Sequence, residues 1–325
     1  MPPNTSRLES YLLARYPATS AENIAVRQHV ENICKRFMAS GFADRNFERE
    51  FCSGKTDSGE YPRFWQRFTE AALTCDVLDA KLTILRSAIG PDLCIEHGDR
   101  KIWIEFICPE PNEKLRDHDW LTFEKNRCSE MPHEMMLLRW TSAIKEKSEK
   151  LLGKKDCNSK PSRKGYLEKG IVGPRDSYVI AVNSKQLRGA RNACLYGISQ
   201  LPFAVEAVFP VGPRQLHIDS ETRSVVRTDY QDRPYVKNEN DADVPAFTFL
   251  DKEFKEVSAI WATDFDDLSI IGSPKELAVV HNPLAVNPLP VNLLPAWSEY
   301  VATAVQNDEY RLDKQDGRLV LRSSQ

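Results

Sequence analysis

The sequence predicts an α/β fold in which a central mixed β-sheet is flanked by helices, with further helices ahead of it and a β-rich elaboration behind. Three observations carry that expectation. Residues 60–185 read in the order helix, strand, hairpin, helix, strand. Within them SYVIAVNS (177–184) is apolar almost without interruption, as a strand covered on both faces must be. After it, AVEAVFPVG, RSVVRT, SAIWATDF and ELAVVHNP each read as strands, separated by turn clusters such as VGPRQ and IGSPKE. The 325 residues, 41% hydrophobic and 28% charged, are enough to bury a sizeable core. Three stretches follow: an N-terminal helical segment over 1–55, an αβββαβ core over 56–200, and a C-terminal elaboration over 201–325 packed on that core.

Taken in order, the stretch up to residue 50 sets Ile24, Val30, Ile33 and Phe37 among charges at helical spacing. A polar break, CSGKTDSGEYP, ends it. Pro62 stands where a helix begins, since its fixed φ and missing N–H cost nothing in a first turn, and RFWQRFTEAALTCDVLDA continues with helical period. A short strand over 81–85 is followed by the β-rich runs LCIEH and KIWIEFIC, joined by the turn dipeptide Gly98-Asp99. An acidic, polar connection over 110–130 leads to a helix over 134–152 and then to the lysine-rich loop KKDCNSKPSRKG. Further on, NPLAVNPLPVNLLP holds four prolines in 14 residues, too many for regular structure, and is expected to lie as an extended strap. A helix-like segment and a short hairpin in DEYRLDKQDGRLVLR close the chain.

The bulk properties exclude more than they select. A net charge of −3 and a pI near 6.1 give no global basic field, although a local patch remains compatible with a polyanion. The start MPPNTSRLESYLLARYP lacks a signal-peptide pattern and no run reaches membrane-spanning length, so a soluble, cytoplasmic protein with no membrane partner is expected. The eight cysteines (34, 52, 75, 94, 108, 128, 157 and 194) form no CxxC pair and are expected to be reduced. Six histidines avoid HExxH and HxH spacing, which argues against a zinc hydrolase, and GxSxG, Walker A and GxGxxG motifs are absent. Asp264, Asp266 and Asp267 form an acidic turn that is expected to cap a helix or face solvent.

The hairpin carries the chemistry. Strand alternation sets Trp103, Glu105 and Ile107 on one face and Ile102, Ile104 and Phe106 on the other, so Glu105 sits in a strand that is apolar on both sides. A carboxylate there is expensive unless a cation or hydrogen bonds meet it. Asp92, just ahead of the partner strand, adds a second acid, and two antiparallel neighbours of like charge repel unless something positive lies between them. A hard divalent cation, Mg²⁺ or Mn²⁺, is the usual solution. Such a site can activate water and stabilise the charge of an in-line displacement, and it usually includes a lysine.

With helix, strand, hairpin, helix and strand in this order, Pro91-Asp92 ahead of one hairpin strand and Glu105-Phe106-Ile107 in the next, the chain resembles the PD-(D/E)XK, or restriction-endonuclease-like, nuclease superfamily. The set GPDLCI, IWIEFICPEP, LRWTSAIKEK, SYVIAVNS and VVHNPLAVNPLP resembles more narrowly a group of bacterial proteins carrying such a core, over about residues 60–290. The resemblance implies Asp92 and Glu105 as metal ligands, Mg²⁺ or Mn²⁺ as cofactor and a nucleic acid, DNA before RNA, as substrate. It names no particular substrate. Ile107 stands where the family has its lysine, which implies either lost activity or a lysine supplied from elsewhere.

On a wheel with Arg139 at zero, Leu137, Leu138, Ile144, Leu151 and Leu152 span roughly 120–260° and Lys145 falls inside that span at roughly 240°. Lys145 is therefore the expected migrated lysine, unless it snorkels from the stripe's edge or pairs structurally with a buried acid. Lys147, at roughly 80° on the expected wet side, is the runner-up, and Arg139 or Ser142 could contact the phosphate. Glu70 matches the position from which the superfamily's first helix often sends an acid to the metal. The wheel, however, puts it roughly 130° from the Phe64, Phe68, Ala71, Cys75 stripe, toward solvent. From 145 to 169 nine basic residues face four acids, and Lys154, Lys155, Lys160, Arg163 and Lys164 could track a phosphate backbone. The expectation is a metal-dependent nuclease, with a homodimer compatible; the alternative is a nuclease-fold binding module without catalysis.

Overall fold

The computed structural model describes residues 6–53, 62–87, 89–121, 129–155, 161–188, 195–267, 276–306 and 309–319. The N-terminal segment is three helices, α1 (Arg7–Arg15), α2 (Ala21–Ser40) and α3 (Phe47–Phe51). Ser6 and Ser20 accept the orphan amides of Glu9 and Asn23 and so start the first two; Gly41, at φ +75°, ends the second. Next come α4 (Pro62–Asp79), β1 (Thr83–Leu85), β2 (Leu93–His97) and β3 (Arg100–Ile107). A turn of helix, α5 (Glu113–Arg116), precedes the long α6 (His133–Leu152). A small ribbon of β4 (Lys154–Lys155) and β5 (Pro161–Arg163) leads to β6 (Ser177–Asn183). The expected order of residues 60–185 is thus the observed one.

One eight-stranded mixed sheet runs through the molecule in the order β1, β2, β3, β6, β11, β12, β13, β14. Its second half is built from β11 (Ala259–Thr263), β12 (Leu277–His281), β13 (Ser298–Gln306) and β14 (Glu309–Asp316), so the C-terminal stretch extends the sheet. β6, wholly buried, lies between β3 and β11, parallel to both. Between β6 and β11 the chain forms α7 (Phe203–Val208), the ribbon β7 (Val211–Ile218) with β8 (Val225–Asp232), and the short pair β9 (Tyr235–Lys237) with β10 (Asp243–Pro245).

Alternation divides the sheet's side chains between two layers. Trp103, Ile107, Tyr178, Ile180, Val182, Ile260 and Val280 pack with Leu137, Trp140, Ile144 and Leu151 of α6 and with α7. On the reverse, Ile102, Ile104, Phe106, Val179, Ala181, Trp261 and Val279 meet Leu73 and Val77 of α4 and Leu289, Leu293 and Leu294 of the proline-rich segment. The strap is therefore a cover over one face. It is fixed where Trp261 Nε1 donates to Pro295 O (3.0 Å) and where Asn292 N donates to Glu299 Oε1 (2.9 Å). The N-terminal helices pack on the outer side of α4, through Phe37, Phe47, Phe51, Phe64 and Phe68.

Several expectations are overturned. AVEAVFPVG does not form a strand: FAVEAV is α7, where alanine's helix preference decides a short apolar run that periodicity leaves ambiguous. The helix-like segment after the strap is β13, and its partner β14 uses residues assigned to a closing hairpin of their own; Tyr300 and Ala302 alternate inward as a strand requires. Asp264, Asp266 and Asp267 are buried rather than solvated. Arg188 Nη2 holds Asp266 at 2.9 Å, and Asp267 takes the Tyr16 hydroxyl. Cysteines 34, 52, 75, 94 and 108 are free thiols, as expected, while 128, 157 and 194 lie outside the described residues. No described helix is long and apolar enough to cross a membrane.

Because Trp261 is fully buried between the sheet and the strap, Trp261→Ala should cost about 3–5 kcal/mol in denaturant unfolding. Val291→Ala, on the strap's half-exposed side, should change stability by less than about 0.5 kcal/mol.

Candidate active site

β2 and β3 are joined by a tight turn at Gly98, whose φ of +62° a side chain would resist, and their register pairs Leu93 with Ile104 and Cys94 with Trp103. One residue further along, Asp92 stands across from Glu105. The Phe106 amide donates to Asp92 Oδ2 at 2.7 Å, fixing the carboxylate against the third strand. Gly90 allows this entry: its φ is +117°, and a Cβ there would come within 2.7 Å of Ile171. The two acids expected to lie side by side therefore do.

Their surroundings differ. Glu105 is 1% exposed and lies on the sheet face that α6 covers. Lys147 Nζ donates to Glu105 Oε1 at 3.1 Å, Lys150 Nζ reaches the same oxygen, and the Tyr166 hydroxyl lies 3.5 Å from Oε2. Asp92 has protein on most sides, yet its surface still meets water. Crowding and the neighbouring Glu105 push its carboxyl up to about 6, against the pull of the Phe106 amide and the two lysines.

The lysine of this site is Lys147, and Lys145 is exposed. The buried stripe of α6 is Met136, Leu137, Trp140, Ala143, Ile144, Lys147 and Leu151. It centres near 100° on the wheel, where Trp140 lies, whereas the stripe drawn through Leu138 and Leu152 is displaced toward helix flanks that are only partly buried. Lys147 falls in the centre of the true stripe. It is 6% exposed, its stem surrounded by apolar neighbours and its head on Glu105.

Glu70 is likewise buried, 7% exposed, rather than solvated. α4 has two packing faces, one toward the sheet and one toward the N-terminal helices, so a wheel with a single stripe misplaces its other sides. Burial pushes Glu70 up to about 7, opposed by Arg67, whose Nη1 lies 2.7 Å away; Asp92 adds to the upward push. Arg67 is shared, since Asp44 (2.9 Å) and Glu50 also bind it. Linked in this way, among the described residues Asp44, Glu50, Glu70, Asp92 and Glu105 are five acids against the three cations Arg67, Lys147 and Lys150.

A cleft of about 340 Å³ has Lys147 and Ile107 in its wall; neither Asp92 nor Glu105 lines it. Arg63, Arg139 and Lys147 line it against Glu110 and Glu146, with Gln66 and Ser142 between them. Arg139 Nε donates to Glu110 O at 2.7 Å, and Ser142 is exposed. Gln66 ties α4 to the end of β3, donating to Phe106 O (3.1 Å) and accepting from the Cys108 amide (2.8 Å). Lys154, Arg163 and Lys164 are exposed on the β4–β5 side; Lys154 approaches Glu149 at 3.5 Å. Lys155 contributes backbone to that ribbon, and Lys160 lies outside the described residues.

Lys150, Tyr166, Arg67, Gln66 and Arg63 escape a sequence reading. For Lys150 a signal existed, three residues after Lys147 on one helix side. Among the described residues no group of three or more His, Cys, Asp or Glu side chains could by itself hold a metal ion. The donor set is two hard carboxylates, which suits Mg²⁺, an ion that keeps several waters and takes one or two protein carboxylates. Comparisons with protein-family models, curated proteins and solved structures find no significant match.

Both upward shifts mean that the folded chain holds these protons more tightly than the unfolded chain does. Stability is therefore greatest below the ordinary values of 4.5 and 3.8 and falls as pH rises through about 7 for Glu70 and about 6 for Asp92. In denaturant titrations without divalent ions, Glu70→Gln should flatten that decline by roughly 1–3 kcal/mol. An equally steep decline in the variant would show that Glu70 does not hold the proton.

Proposed function

We propose that this chain is a metal-dependent nuclease of the PD-(D/E)XK type, hydrolysing phosphodiester bonds of DNA or RNA, with the motif lysine supplied by α6. The observation that carries the reading is the convergence of Asp92, Glu105 and Lys147, of which Lys147 also lines a cleft. Asp92 and Glu105 would hold Mg²⁺ or Mn²⁺, and the excess of acids over cations in the linked set favours a divalent ion there. When bound, the metal supplies Lewis-acid stabilisation of a phosphoryl oxygen and a more acidic water.

The remaining work falls to the chain's own groups. Lys147 presents a fixed ammonium at the cleft wall, where it orients a water and offsets charge developing on the phosphate. Lys150 and Tyr166 hold Glu105 in place from its two oxygens. Arg63 and Arg139 give the cleft mouth a cationic side for the phosphate backbone. Ile107, where the family has lysine, packs in the apolar layer with α6.

Supercoiled and linear DNA and RNA incubated with Mg²⁺ or Mn²⁺ should be cleaved. Asp92→Asn and Glu105→Gln should abolish cleavage, Lys147→Ala should lower it by about 10²–10³-fold, and Lys145→Ala should leave it near wild type. Mn²⁺ should also raise the melting temperature of the wild type and not that of Asp92→Asn. Absence of cleavage together with absence of metal-induced stabilisation would reject the reading. Salt-sensitive binding indifferent to EDTA would then identify a binding module on the same fold.

A further inference from the structure

Among the described residues the ribbon of β7 and β8 pairs with no other strand; its base packs on the core through Val211, and from Arg214 outward it is mostly exposed. Its register aligns Arg214 with Tyr230, Leu216 with Thr228, and Ile218 with Val225 across a bulge, so Leu216, Ile218, Val225, Val226 and Tyr230 share one face. They are 58, 60, 55, 65 and 43% exposed. The opposite face is polar and closes on itself: Asp229 takes His217 Nε2 at 2.9 Å and Arg227 Nη2 at 2.8 Å. An isolated two-stranded ribbon is marginally stable in water, and these half-exposed apolar side chains would gain from burial. This face therefore calls for a cover.

Charge decides what kind. Residues 211–233 hold four arginines (214, 223, 227, 233) and four acids (219, 221, 229, 232), which gives no field for a polyanion. The signs are also ordered along the strands. The β7 side runs from Arg214 at the base to Glu221 at the tip, and the β8 side from Arg223 at the tip to Asp232 at the base. Stacked on a copy of itself about a two-fold axis, the ribbon sets plus over minus in either sense. Head to tail, Arg214 meets the partner's Glu221; head to head, it meets the partner's Asp232. The bulges at Val211/Arg214 and His217/Ile218 twist the ribbon's edges, which favours contact through the face over pairing along an edge.

We propose that this apolar face of the β7–β8 ribbon docks a second copy of the chain, making the protein a homodimer through isologous stacking of the two ribbons. The inference stands independently of the nuclease reading.

Sedimentation equilibrium of the full chain under reducing conditions tests it. The wild type should approach twice the 37.1 kDa chain mass. Leu216→Glu and Val226→Glu, both at exposed positions, should keep the wild-type circular dichroism and melting profile at low concentration and sediment as monomers. Arg214→Glu should weaken the dimer about tenfold, and either Arg214→Glu/Glu221→Arg or Arg214→Glu/Asp232→Arg should restore it, the rescuing pair reporting the sense of the stack. A wild type that stays monomeric at all concentrations, or a dimer untouched by Leu216→Glu and Val226→Glu, overturns the proposal.

Discussion

A carboxylate in the middle of a strand that is buried on both sides is the constraint from which this architecture follows. Glu105 cannot take its charge out of water without cations, because the desolvation of an isolated carboxylate far exceeds what packing returns. The cations come from α6, which must therefore cross the sheet face on which Glu105 lies and present the 147 side to it. Once that phase is set, Trp140, Ile144 and Leu151 are committed to the same layer. The parallel pairing of β3 with β6 places that helix as the connection between them.

The parts of the design that depend on local pattern were legible in the sequence. Alternation on β3 separated Glu105 from Ile104 and Phe106, and Gly98-Asp99 set the register that brings Asp92 opposite Glu105. The uninterrupted run of β6 announced a central strand. What could not be read depends on neighbours that a single wheel does not contain. α4 is pressed from two sides, so Glu70 lies inside, paired with Arg67, although one stripe alone would put it outside. On α6, two flanking leucines draw the stripe away from Trp140, and the lysine that reaches Glu105 is Lys147 rather than Lys145. Asp264, Asp266 and Asp267 became interior through arginines and a tyrosine distant in sequence: Arg188, Arg15 and Tyr16.

The C-terminal half strengthens the same frame. By continuing the sheet through β11 to β14 it gives β6 a neighbour on each side, and by laying the proline-rich strap over Trp261 it closes the face opposite α6. The sheet is thus covered on both faces. Exposed apolar surface is displaced to the β7–β8 ribbon, on a connection between β6 and β11 that the sheet does not need for its own pairing.

An ion pair serving stability alone would be simpler than the one observed. One lysine and a tyrosine suffice to neutralise and hydrogen-bond Glu105, whereas two ammonium groups converge on a single oxygen and leave Asp92, across the hairpin, with no cation in ion-pair contact among the described residues. Asp92 instead keeps one oxygen on a backbone amide and its surface in water, crowded by a second acid that raises its proton affinity. Electrostatic repulsion between two carboxylates held next to a fixed ammonium is a cost that folding alone does not require. It becomes intelligible when the pair has a positive partner that arrives from solution, which is the physical reason behind the proposal of a metal at this hairpin.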